Sequence, residues 1–160
     1  EMAWTYGDTL MLFGKPGRQL LIGPSGKTLL ETQYDGWAEN NPFPGFKRPL
    51  LAVVQNGKTG LIDFQNRMVL PFIYEKIDWV ESDFACAENE LERKGIVTLQ
   101  GKEVLPFAYV RILKVDENER VAYSAQLKLP KGRQLLAKVW DAENRFFFVD
   151  DAGSLHPFQK

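Results

Sequence analysis

Gly60-Leu61-Ile62-Asp63-Phe64-Gln65-Asn66-Arg67-Met68-Val69-Leu70-Pro71-Phe72-Ile73-Tyr74 lies without a gap over Gly95-Ile96-Val97-Thr98-Leu99-Gln100-Gly101-Lys102-Glu103-Val104-Leu105-Pro106-Phe107-Ala108-Tyr109. Self-similarity of this kind marks a repeat architecture. A third copy runs in the same frame from Leu20-Leu21-Ile22 through Gly26 and Leu30 to Tyr34, and a fourth from Phe147-Phe148-Val149 to Phe158 with one residue deleted. The aligned pairs begin at Leu21, Leu61, Ile96 and Phe148, giving steps of 40, 35 and 52 residues.

One position of the frame holds Gly26, Asn66, Gly101 and Gly153, the residue types that tolerate positive φ. Each unit therefore reads as a hairpin whose loop is a type I turn closed by a left-handed residue. Pro71, Pro106 and Pro157 cannot donate to a ladder, so the second strand should end there or lie at an edge. A further strand leads into each hairpin, at 10–13, 51–54, 84–87 and 136–139. That makes about three strands per unit, and one such unit cannot bury its apolar face alone.

Working outward, the remaining apolar bursts at 19–22, 28–30, 68–72, 103–107, 121–125 and 146–149 are strand-sized and bounded by turn residues, whereas spacings of three and four over long windows are nearly absent. The expected fold is all-β: repeated antiparallel hairpins in one domain over 1–160, with units at about 8–40, 41–80, 81–115 and 116–160. Either an open, twisted or partly curled array or a small four-bladed propeller suits such units. The uneven steps favour the open array.

The 160 residues carry 20 Lys plus Arg against 21 Asp plus Glu, with a net charge of −1, so nothing invites nucleic acid. One cysteine excludes an intrachain disulfide, and a single histidine removes most hydrolase and metal-site recipes. No apolar run reaches the roughly 18 residues of a membrane-spanning helix. The chain opens on Glu1, not Met, which suggests an upstream piece was removed and leaves exported and cytoplasmic locations both compatible.

Asn56-Gly57-Lys58-Thr59-Gly60-Leu61-Ile62-Asp63, followed by Leu70-Pro71 and Tyr74-Glu75, resembles the WG-repeat family of bacterial β-repeats, whose pattern is NGKWGhID, a Gly-containing turn, aliphatic-Pro and a Tyr-acidic pair. Lys94-Gly95-Ile96-Val97 with Leu105-Pro106 and Tyr109 matches next best, and the likeness covers most of residues 10–158. Thr59 and Lys94 stand where the family has Trp, and both Trp and Gly are lost at Gln19-Leu20 and Phe146-Phe147. The resemblance implies a divergent member: a repetitive β scaffold that contributes binding without catalysis.

Individual residues support the same expectation. Cys86 sits in an apolar strand, where a thiol is buried and inert. His156 occupies the place of Leu70 and Leu105, so it reads as a packed or surface histidine. The register-repeated Tyr34, Tyr74 and Tyr109 read as packing between units. Acidic residues outnumber basic ones seven to one from Glu75 to Glu92; a solvated flank is the plainer reading, and Asp78, Glu81 and Asp83 are the candidates if it binds a partner. Phe43 and Phe46, in the turn-rich insertion 40–49, are candidates for a recognition finger.

The expected function is therefore non-catalytic recognition of another protein through a repeat face and its loops, with no cofactor and no metal. A toxin-neutralising immunity protein suits this description. The alternative is a glycan or cell-wall ligand bound on Trp4, Trp37, Trp79, Trp140 and the tyrosines.

Overall fold

A computed structural model describes residues 2–6, 10–39, 41 and 50–158. The first sheet comprises β1 (Met2–Tyr6), β2 (Leu10–Lys15), β3 (Arg18–Ile22) and β4 (Thr28–Thr32). The second comprises β5 (Gly36–Trp37), β6 (Leu51–Gln55), β7 (Lys58–Ile62) and β8 (Met68–Tyr74). The third comprises β9 (Lys76–Glu81), β10 (Phe84–Glu88), β11 (Lys94–Thr98) and β12 (Glu103–Tyr109). The fourth comprises β13 (Arg111–Lys114), β14 (Leu135–Trp140), β15 (Phe146–Asp150) and β16 (Leu155–Pro157), with a helix, α1 (Glu117–Leu127), inserted after β13. Every sheet is an antiparallel meander in chain order. The fold is all-β, an open array of four sheets with none closed into a barrel.

Two expectations are corrected. Each unit has four strands instead of three, because the two-residue β5 and the charge-rich segments that form β9 and β13 also join the ladders. The burst 121–125 lies in α1, not in a strand. Asp116 caps this helix: its side chain accepts the Glu119 N–H at 2.8 Å while Glu119 Oε2 accepts the Asp116 N–H at 3.1 Å, a reciprocal pair that satisfies two otherwise orphaned donors.

The turns follow the frame. Gly26, Asn66, Gly101 and Gly153 have φ of 76°, 60°, 84° and 83°, in the left-handed region. Asp63 Oδ1 accepts the N–H groups of Gln65 and Arg67 at 2.9 and 3.0 Å. Asn89, Asp141 and Asp150 repeat that geometry in their own turns. A side-chain oxygen that mimics a backbone acceptor is what fixes such loops.

The core lies between sheets. Leu12, Leu21 and Leu30 of the first sheet pack on Leu51, Val53 and Ile62 of the second. Leu61, Leu70 and Tyr74 of the second meet Ile77, Val80 and Ala85 of the third. Ile96 and Leu105 of the third meet Ile112, Leu136 and Val139 of the fourth. Inner strands are consequently buried on both faces: Leu51, Ala52 and Val53 are all fully enclosed, as are Ala85, Cys86 and Ala87. Position in the stack, more than strand chemistry, sets the burial pattern. In the fourth sheet, Leu135 and Phe148 point away from the third and are covered by Tyr123 and Leu127 of α1, with Phe146 and Phe158 alongside. Among the described residues no helix is long and apolar enough to cross a membrane.

Candidate functional site

Gln19, Thr59 and Lys94 share one strand position across the first three units, and each makes polar contacts there. Gln19 is buried, and its amide donates to the carbonyls of Lys15, Tyr34 and Asp35 at 2.8, 3.3 and 3.2 Å. Thr59, also buried, donates its hydroxyl to the Glu75 carbonyl at 3.1 Å. Lys94 pairs with Asp78 and lies 3.0 Å from Glu88. Burial works against the Lys94 charge, but the hydrogen bonds to Asp78 and Glu88 outweigh it and raise its pKa. Gln19 and Thr59 thus anchor the chain that connects one sheet to the next, while Lys94 ties strands within the third sheet. Buried polar groups of this kind are tolerated because they are hydrogen-bonded.

The glycines that follow have their own cause. A Cβ on Gly60 would lie 2.9 Å from the Leu70 carbonyl oxygen and 2.9 Å from the Phe72 ring, and on Gly95 it would lie 2.8 Å from the Leu105 oxygen and 3.0 Å from the Phe107 ring. Opposite these glycines the partner strands bulge, so that 71–73 and 106–108 face one residue each. Where the ring is absent, at Thr32 opposite Gln19, Leu20 can replace the glycine.

This construction leaves a groove between the second and third sheets, of about 370 Å³, lined by Lys58, Phe72, Ile73, Asn89, Glu90 and Leu91. Ile73 is 62% exposed and Leu91 74%. Lys58 pairs with Glu75 and stands 4.0 Å from Glu90, and the Glu75 hydrogen bond raises its pKa. The place of Ile73 in the frame is taken by Gln33 in the first unit and Ala108 in the third. Leu91 occupies the tip of a five-residue Asx turn whose counterpart in the fourth sheet holds Glu143. Ile73 and Leu91 thus expose apolar side chains where the equivalent positions hold polar or small residues.

The residues singled out from sequence are distributed differently. Asp78 pairs with Lys94 and lies 3.7 Å from Lys76. Glu81 faces the other way, 2.9 Å from Arg120 of α1 and 3.5 Å from Lys114. Asp83 is exposed in the β9–β10 turn, where its carbonyl accepts the Leu99 N–H at 2.8 Å. The acidic segment is thus divided, and two of its three candidates are engaged by cations of this chain. Phe43 and Phe46 lie outside the described residues. Ile73 and Leu91 were missed by the sequence reading, although aligning the units would have shown both as departures from polar or small residues.

Cys86 is fully buried, and burial first, then the Asp78 charge, pushes its thiol pKa up; it is an inert core residue. His156 Nε2 lies 2.9 Å from Asp150 Oδ2. Burial opposes ionisation of Asp150, but hydrogen bonds from His156, Ser154 and Ala152 outweigh it and hold the carboxyl below its ordinary pKa. The pair braces the β15–β16 turn. Tyr74 and Tyr109 are buried, and Tyr34 and Tyr74 stack across sheet junctions on Phe72 and Phe107, with ring centres 5.1 and 6.1 Å apart. Trp37 donates its indole N–H to the Phe13 carbonyl at 3.2 Å, Trp79 packs in the core between third and fourth sheets, and Trp140 lies against Phe146 with the Arg111 guanidinium 4.8 Å above its ring. Among the described residues no three His, Cys, Asp or Glu side chains gather as metal ligands.

No family model matches the chain, and a search of curated proteins finds no match.

Proposed function

We propose that the chain is a non-catalytic binding module of the WG-repeat kind, which recognises another protein through the junction of its second and third sheets. The observation that carries this reading is the exposed apolar pair Ile73 and Leu91, set over Phe72 in one groove. Exposed apolar residues clustered inside a charged rim have the composition of a protein-docking surface. Lys58, Glu75 and Glu90 supply that rim. A glycan platform would need tryptophans in an open row, whereas Trp37, Trp79 and Trp140 are each half-buried and packed.

A photo-crosslinking amino acid placed at Leu91, and separately at Glu143 in the equivalent turn, tests the reading in lysate of the source cells. A discrete protein adduct from position 91 that is absent from position 143 is the expected result. No adduct at 91, or the same adducts at both, contradicts it.

A further inference from the structure

We infer that a neutral sugar binds in a second groove, at the junction of the first and second sheets, through hydrogen bonds and not on an aromatic platform. This groove is the counterpart, one junction earlier, of the one that holds Ile73 and Leu91. It measures about 570 Å³ and is lined by Glu31, Thr32, Gln33, Tyr34, Gln55 and Asn66. That volume falls within the roughly 300 to 1,000 Å³ of small-ligand sites. The repeat frame sets Thr32 and Gln33 where the next junction has Phe72 and Ile73, so hydrogen-bonding groups stand in place of an apolar wall.

Gln33 and Asn66 are exposed and Gln55 is half-buried, and among the described residues none of their side-chain amides has a hydrogen-bond partner. Each such amide offers two donors and one acceptor oxygen, so three of them around one groove suit a ligand that both donates and accepts along its length. Thr32 is the buried member of the lining, 3% exposed, and its hydroxyl also finds no partner among the described residues. An unpartnered buried hydroxyl is rare in a folded protein. Glu31 is the one ionised group of the lining, and Arg18 holds its carboxylate at 2.8 Å. A charged ligand therefore gains no free ion pair here. The hydroxyls of a sugar, each both donor and acceptor, match the amides in kind. A peptide matches less well, because protein interfaces centre on apolar side chains and none of the six lining residues is aliphatic.

Two-dimensional amide NMR of the purified chain tests this with glucose, N-acetylglucosamine, maltose and chitobiose as probes, each added up to about 50 mM. At least one of them should shift the side-chain NH2 signals of Gln33, Gln55 and Asn66 saturably, with a Kd of about 0.1 to 10 mM, as a few hydrogen bonds in an open groove supply. The backbone amides of Ile73 and Leu91 should stay unmoved, which separates this site from the protein-docking groove. Asn66→Gly gives the turn the residue of the other three units and removes one amide without strain, and Gln33→Ile installs the residue of the next junction. Each should weaken binding by about threefold to tenfold, and the same spectra report whether each variant is folded. No shift with any of the four sugars, shifts that spread equally to Ile73 and Leu91, or an affinity unchanged in both variants overturns the inference. So does movement of these signals by an uncharged acetylated Ser-Gly-Asn-Gly-Ser amide peptide but by no sugar.

Discussion

Gly101 and Gly153 occupy the same turn position with nearly the same φ, 84° and 83°, yet their surroundings differ. A Cβ on Gly101 meets nothing within 4 Å, while one on Gly153 would lie 2.1 Å from the Val104 carbonyl oxygen of the third sheet. Gly101→Ala should therefore cost only the left-handed strain, about 1 kcal/mol. Gly153→Ala should cost that plus the displacement of a packed backbone, about 2 to 4 kcal/mol in all. Urea unfolding of the two variants measures the difference, and equal losses would show that the fourth sheet does not press on β12 there. The positive φ of all four turn residues was legible in the sequence, because only Gly and Asn recur at that position. The inter-sheet contact of Gly153 was not, since nothing local distinguishes it from Gly101.

At the scale of elements, α1 shows how a weak signal is lost. Asp116-Glu117-Asn118-Glu119 is a capping box in sequence, but Val121 to Ala125 also reads as an apolar burst, and the helix buries none of its residues fully. Half-buried Tyr123 and Leu127 suffice to cover Phe148 and Leu135. Asp116→Ala should destabilise by about 1 kcal/mol, and amide exchange should show the loss concentrated in 117–127. β9 was hidden for another reason: the acids at 78 and 81 drew attention to charge density, while Ile77 and Val80 were the residues entering the core.

The β15–β16 turn gives a pH prediction at the same scale. The Asp150 pKa is lowered on folding, so its contribution is fully present above the unfolded value near 4 and is lost as pH falls through the folded value. Melting temperatures between pH 7 and pH 2 should fall more steeply for the wild type than for Asp150→Asn, which keeps an oxygen to accept the Ala152 and Ser154 N–H groups. Parallel curves would remove Asp150 from the acid response.

Across the whole molecule, repetition made the architecture readable and the site hard to see. Four units, their hairpins and an open array all follow from one frame, because the frame fixes turn residues and core positions together. The proposed docking site depends on departures from the frame, and a departure has meaning only once its neighbours in space are known. Ile73 and Leu91 are 18 residues apart in sequence and belong to different sheets; stacking alone brings them to one groove. The acidic segment, compact in sequence, is divided by strand alternation and by the cations of Lys94 and Arg120.

The most direct test of this account uses the partner that position 91 captures. Calorimetric titration of that partner against wild type and Leu91→Glu, which installs the residue of the equivalent fourth-sheet turn, compares one exposed side chain while the fold stays intact. Loss of a central apolar anchor should weaken binding by about tenfold or more. Glu143→Leu, made on the unmodified groove as a control, should leave the affinity unchanged. An affinity unaltered by Leu91→Glu would contradict recognition at the junction of the second and third sheets.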